Sequence, residues 1–123
     1  MGIHESAENY LETILILSNK LPFVRSIDIS NELGYKKSSV SVAMKNLREN
    51  ALISVDNLGY ISLTDEGKKI AEHIYERHNF LCDWLVNLGV SKDIAEDDAC
   101  KLEHILSPES YAAIKNNYTI TKQ

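Results

Sequence analysis

Apolar residues recur at helical spacing along most of this 123-residue chain and alternate as in strands over only one short stretch. Residues 6–19 predict a first helix, with Ser6 as N-cap and Tyr10, Leu11, Ile14, Leu15 and Leu17 on its apolar side. The turn at Leu21-Pro22-Phe23 ends it. Ser26 opens a short second helix carrying Ile27, Ile29 and Leu33, and Gly34 stops it. A third helix, capped by Ser38 or Ser39, runs to about Asn50. Its inward stripe is Val40, Ala43, Met44 and Leu47, which leaves Lys37, Ser39, Ser41, Lys45 and Arg48 outward. Leu52-Ile53-Ser54-Val55 and Tyr60-Ile61-Ser62-Leu63 then predict two short strands around a turn-rich Asp56-Asn57-Leu58-Gly59 tip.

Two helices joined by a short glycine-containing turn, the second with an exposed polar face, form a helix-turn-helix. A hairpin directly after the second helix makes it winged. Thr64 caps a long helix from Asp65 to about Leu88, on which Ile70, Ile74, Leu81, Leu85 and Val86 give an apolar face, widened by Tyr75, Phe80 and Trp84. That face exceeds what a small winged domain needs, and implies dimerisation or support for a second helical unit. Gly89 breaks the helix. A further one follows from Ser91 through Leu106, with an interruption expected near Glu96. Ser107 at N-cap and Pro108 at N1 start a last short helix with Tyr111, Ala112 and Ile114. The expected fold is mainly α: a winged helix-turn-helix over residues 1–70 and an all-helical dimerisation domain over residues 71–123.

Charge changes this picture more than composition does. The chain is 44% hydrophobic, has only five glycines and two prolines, and contains no apolar run long enough to span a membrane. The start, Met1-Gly2-Ile3-His4-Glu5, lacks the basic and apolar regions of a leader, so the cytoplasm is the expected compartment. In such a compartment Cys82 and Cys100 are free thiols or ligands rather than a disulfide. The net charge of -5 argues against nucleic acid until it is divided along the chain. Residues 20–69 carry a net +2, between acidic flanks of -3 and -4. A local basic field is what phosphate binding needs.

The densest candidate chemistry is Cys100-Lys101-Leu102-Glu103-His104, which sets a thiol, a carboxylate and an imidazole at i, i+3 and i+4 on one helix face. Sulfur, oxygen and imidazole nitrogen together suit a first-row transition metal better than Ca²⁺ or Mg²⁺. An ordinary helix with a buried cysteine and a surface Glu-His pair is the competing reading. Glu12 and His78 lie on two other predicted helices and would complete a mixed donor set if the helices converge. Equally, His78 could be a surface histidine and Glu12 a solvated carboxylate. His73 and Glu76 are nearby, but Glu76 is two residues from His78 and faces elsewhere. Cys82, four residues after His78, has the commoner role of a buried apolar thiol. No glycine-rich phosphate loop, nucleophile elbow or HExxH motif occurs, which weighs against an enzyme.

Several motifs together resemble the diphtheria toxin repressor family of metal-dependent regulators. They are Glu8-Asn9-Tyr10-Leu11-Glu12-Thr13-Ile14, the segment Ile27 to Leu47, Leu63-Thr64-Asp65-Glu66-Gly67, Arg77-His78, and Asp97 to Ser107 around the Cys100 cluster. The resemblance is to the short, two-domain members, which include the manganese regulators and lack a further SH3-like domain. It implies a transcriptional repressor acting as a homodimer on palindromic double-stranded operator DNA, with no organic cofactor and no membrane partner. It also implies a metal site built from Glu12, His78, Cys100, Glu103 and His104, with Asn9 where manganese-type members have Asp and iron-type members Met. Cys100 follows the iron-type pattern and Glu12 the manganese-type pattern. Fe²⁺ or Mn²⁺ is therefore expected, iron slightly ahead, with Zn²⁺, Co²⁺ or Ni²⁺ as alternatives that the thiolate would also suit. Glu8 is the other acidic group beside Asn9. A metal-independent winged-helix regulator is the remaining alternative.

For DNA, Ser38, Ser39, Ser41, Val42 and Lys45 are the expected groove-facing residues of the recognition helix. Lys36, Lys37 and Arg48 are expected at phosphates, with Asn57 or Tyr60 contributing from the wing. Few side chains here can read a base edge bidentately, so no operator sequence follows.

Overall fold

The computed structural model describes residues 5–122. The first four residues, read above for a leader, lie outside that range. Six helices and one hairpin follow in order: α1 (Glu5–Lys20), α2 (Ser26–Leu33), α3 (Lys37–Glu49), β1 (Ile53–Val55), β2 (Ile61–Leu63), α4 (Asp65–Asn87), α5 (Lys92–Ile105) and α6 (Pro108–Lys122). The chain divides into two compact units between His73 and Ile74, inside α4.

In the first unit α1, α2, α3, the hairpin and the start of α4 surround one core of Tyr10, Leu11, Ile14, Leu17, Val24, Ile29, Val40, Met44, Leu47, Leu52, Ile53, Ile61 and Ala71. The apolar stripes expected on α1 and α3 are the buried ones, with Leu15 and Ala43 half-buried. Gly34 takes the left-handed conformation (φ 71°) and returns its N–H to the Ser30 carbonyl at 2.8 Å, closing α2. The Ser30 hydroxyl donates to the Tyr35 carbonyl at 2.6 Å, which sets the turn into α3. The β1–β2 pair is antiparallel, with Ile53 opposite Leu63 and Val55 opposite Ile61. At its tip the Asp56 carboxylate accepts the N–H groups of Leu58 and Tyr60, both at 2.9 Å.

Caps differ from the expectation at two helices. α1 begins at Glu5, so Ser6 lies inside it. α3 begins at Lys37 with Lys36 at N-cap and no side-chain cap bond, so Ser38 and Ser39 sit in the first turn rather than before it. Their hydroxyls are thereby exposed and left for other partners. Thr64 does cap α4, accepting the Gly67 N–H at 3.1 Å while its hydroxyl donates to the Ala51 carbonyl at 2.8 Å.

The second unit packs α5 and α6 against the remainder of α4 through Leu81, Cys82, Ala95, Ala99 and Tyr111, flanked by Phe80, Trp84, Leu85, Val90, Leu102 and Leu106. α5 is continuous: Ala95 and Ala99, four residues apart and fully buried, carry it through the expected break at Glu96. α6 is not short but runs for 15 residues, and Ser107 accepts the Ser110 N–H at 3.1 Å as its cap. Tyr75 and Val86, assigned above to the apolar face of α4, are exposed, as are Leu88, Ile94 and Ile105.

Candidate metal centre and nucleic-acid interface

Within the second unit α4 and α5 bring three of the candidate ligands together. One donor atom each from His78, Cys100 and Glu103 lies within 4.8 Å of the others. His78 Nδ1 is 2.8 Å from Glu103 Oε1, and His104 Nε2 is 3.9 Å from Glu103 Oε2. Glu103 therefore sits between the two imidazoles, and its side chain is wholly buried. Burying a carboxylate costs several kcal/mol unless its lone pairs are matched. Here Oε1 has His78, but Oε2 is buried with no hydrogen-bond partner among the described residues. A buried carboxylate oxygen without a hydrogen bond, beside imidazoles and a thiol, is an electrostatic setting a divalent cation suits, and these donor types fit one.

The preceding residue steadies the same point. Arg77 is buried, and its guanidinium donates to the carbonyls of Glu103 (3.2 Å) and Leu106 (3.0 Å), with the Tyr111 ring 4.7 Å away. Consecutive residues of α4 thus hold Glu103, one by its main chain and one by its side chain. A guanidinium at the carboxyl end of α5 also opposes the partial negative charge of the helix terminus. Hydropathy gives no sign of this role, because an arginine in a helix pattern reads as surface.

Cys82 is buried in the apolar cluster of this unit, and burial, helped by Glu96 and Asp83, pushes its thiol pKa up. It stays a protonated packing residue rather than a thiolate donor. Cys100 is exposed. Glu76 faces away, 3.4 Å from Lys115 Nζ, and His73 is exposed in the first unit. Asn9 and Glu12 lie on α1 of the first unit, Glu12 buried and Asn9 half-buried, as is Glu8.

On the recognition helix, Lys37, Ser38, Ser39, Ser41, Val42, Lys45 and Arg48 are all exposed, as are Lys36 before it and Asn57 at the hairpin tip. Val42 is 61% exposed, an apolar side chain on the solvent side of α3. Tyr60 is only half-buried, and its ring is engaged: Phe23 stacks on it with centroids 4.3 Å apart, and the Arg25 guanidinium lies 4.9 Å from its centroid.

Residues 3–58 match the N-terminal DNA binding domain of the iron dependent repressors, and residues 64–119 match their metal binding and dimerisation domain. The transcriptional regulator MntR of Escherichia coli O6:H1 is 33% identical over 111 residues, which is 90% of this chain and 72% of that protein. An uncharacterised HTH-type transcriptional regulator of Methanocaldococcus jannaschii is 32% identical over 114 residues, 90% of each chain. A solved manganese-dependent transcriptional repressor in complex with manganese aligns with TM-score 0.83 and 30% identity, covering 90% of this chain and 51% of that one. ScaR with bound Zn²⁺ shares the fold, with TM-score 0.78 and 23% identity over 92% of this chain and 53% of that one. The chain spans about half the length of these two solved neighbours. Its two units, the donor cluster in the second and the exposed polar helix in the first lead to one assignment: the chain belongs to the iron-dependent repressor family, the metal-dependent transcriptional regulators that include the diphtheria toxin repressor.

Proposed function

We propose that this chain is a cytoplasmic transcriptional repressor that binds palindromic operator DNA as a homodimer when Fe²⁺ or Mn²⁺ is available, and so controls metal homeostasis genes. The observation that carries the metal half is Glu103, buried with one oxygen on His78 and the other without a hydrogen bond. His78, Cys100, Glu103 and His104 form the donor set in the second unit, and by family resemblance Glu12 and Asn9 on α1 complete it. A cation held there would supply positive charge beside the buried Glu103 carboxylate. Ligands drawn from α1, α4 and α5 would bias the orientation of the DNA-binding unit, so that ordering is met before DNA arrives. The dimerisation domain takes residues 71–123 and the winged domain residues 1–70.

On the DNA, Ser38, Ser39, Ser41, Val42 and Lys45 face the major groove, while Lys36, Lys37 and Arg48 contact phosphates and Asn57 and Tyr60 serve the wing. The Cys100 thiol supports a second reading, a Zn²⁺-, Co²⁺- or Ni²⁺-responsive regulator, because soft sulfur binds those ions well.

Anaerobic DNA binding across buffered free Fe²⁺, Mn²⁺ and Zn²⁺ separates these readings. The probe is a duplex recovered from a random-sequence library by the metal-loaded protein. Saturating Fe²⁺ or Mn²⁺ is expected to tighten binding about 5- to 150-fold over the chelated protein. Tightest activation by Mn²⁺ where Fe²⁺ fails removes the iron preference, and activation by Zn²⁺ alone supports the second reading. Affinity indifferent to chelation defeats both.

A further inference from the structure

We infer that Arg25 is a further DNA-backbone contact, and that Phe23 is a positioning residue acting on it through Tyr60. The inference rests on the DNA-binding reading and adds to it an arginine and an aromatic pair that hydropathy leaves unexplained. Phe23 is 59% exposed, so the core does not account for it. Instead its ring lies nearly parallel to Tyr60, with an interplanar angle of 11°. The Arg25 guanidinium rests against the same tyrosine. Between Phe23 and Arg25, the Val24 carbonyl accepts the Ile61 N–H at 2.7 Å. Residues 23–25, leading into α2, and residues 60–61 of the wing are thus joined by one backbone bond and two ring contacts.

Three features make Arg25 a phosphate ligand rather than a structural cation. It is exposed, and among the described residues no carboxylate forms an ion pair with it. The nearby Asp28 carboxylate is taken by the backbone N–H of Arg25 at 2.9 Å. Its planar guanidinium matches a phosphodiester bidentately, and its contact with the Tyr60 ring restricts the side chain before binding. The occupant is the operator phosphate backbone: the cation belongs to the basic middle of the chain and to the same compact unit as α3 and the wing.

The test is the salt dependence of binding by the intact, metal-loaded chain to the library-derived duplex. Arg25→Gln is expected to weaken binding about 10-fold and to lower the log–log salt slope by about 0.9 per lost contact, so about 2 for a symmetric dimer. Phe23→Ala is expected to move both readings in the same direction and to add little in the Arg25→Gln background. A slope unchanged in Arg25→Gln overturns the inference, as does full additivity of the two substitutions. A wild-type chain that binds no duplex under any metal overturns the DNA reading and this inference together. Unchanged helicity by circular dichroism identifies the folded variants, and Arg25→Lys, which keeps the charge, is expected to restore the slope.

Discussion

Glu103→Gln is expected to abolish the metal response without harming the metal-free fold. The substitution removes a buried charge but retains an oxygen that accepts from His78 Nδ1, whose present partner is Glu103 Oε1 at 2.8 Å. Exchanging a buried carboxylate with one unmatched oxygen for a neutral amide leaves the metal-free protein as stable as before or more so. The same loss takes away the anionic donor nearest both imidazoles, so metal affinity is expected to fall about 100-fold or more, equivalent to about 2.8 kcal/mol. Thermal melting with and without excess Mn²⁺ reads both effects. Wild type should gain stability with metal while the variant gains little. A variant that melts lower without metal, or that still gains as much with it, contradicts a ligand role for Glu103.

Gly67→Ala is expected to unfold the winged unit more readily, against the ordinary trend for helices. In an open helix position alanine is favoured over glycine by about 1 kcal/mol. Here a Cβ would lie 2.0 Å from the Leu52 carbonyl oxygen and 3.0 Å from its carbon. That oxygen also accepts the Thr64 N–H at 3.1 Å, so moving it loosens the link between the helix cap and β1. Neither neighbour is a side chain able to swing aside. The expected cost is about 2–4 kcal/mol, seen as an early melting transition monitored by urea or heat. Unchanged or higher stability in the alanine variant shows that the two segments separate easily and contradicts the close approach.

Much of this arrangement was legible before the coordinates. The spacing of Val40, Met44 and Leu47 defined the buried side of α3, and with it the exposed row from Lys37 to Arg48. The order of two helices, a hairpin and a capped long helix specified the winged topology. Pattern reading failed where a competing local signal looked stronger than the packing. The serines before Val40 read as caps, yet Lys36 occupies that place because the helix begins two to three residues earlier. An interruption is expected near Glu96, but the buried alanines Ala95 and Ala99 keep α5 whole.

The donor cluster was legible in part for a physical reason. Cys100, Glu103 and His104 share a helix face, so their grouping follows from periodicity alone. The pairing of His78 with Glu103 spans 25 positions and required the packing of α4 on α5. Nothing in the local pattern marks Glu103 as fully buried or Arg77 as the residue that holds its carbonyl. The Phe23–Tyr60–Arg25 contacts were hidden in the same way, since they join a turn to a wing more than thirty residues later.

The central claim is that one ion is held jointly by His78, Cys100 and Glu103. The most direct measurement is the absorption spectrum of the anaerobic protein titrated with Co²⁺, compared with that of Cys100→Ser. The account predicts a saturable sulfur-to-cobalt charge-transfer band in the near ultraviolet for the wild type and its disappearance in the serine variant. A Co²⁺ spectrum that saturates identically in both proteins, without a sulfur band in either, would contradict it.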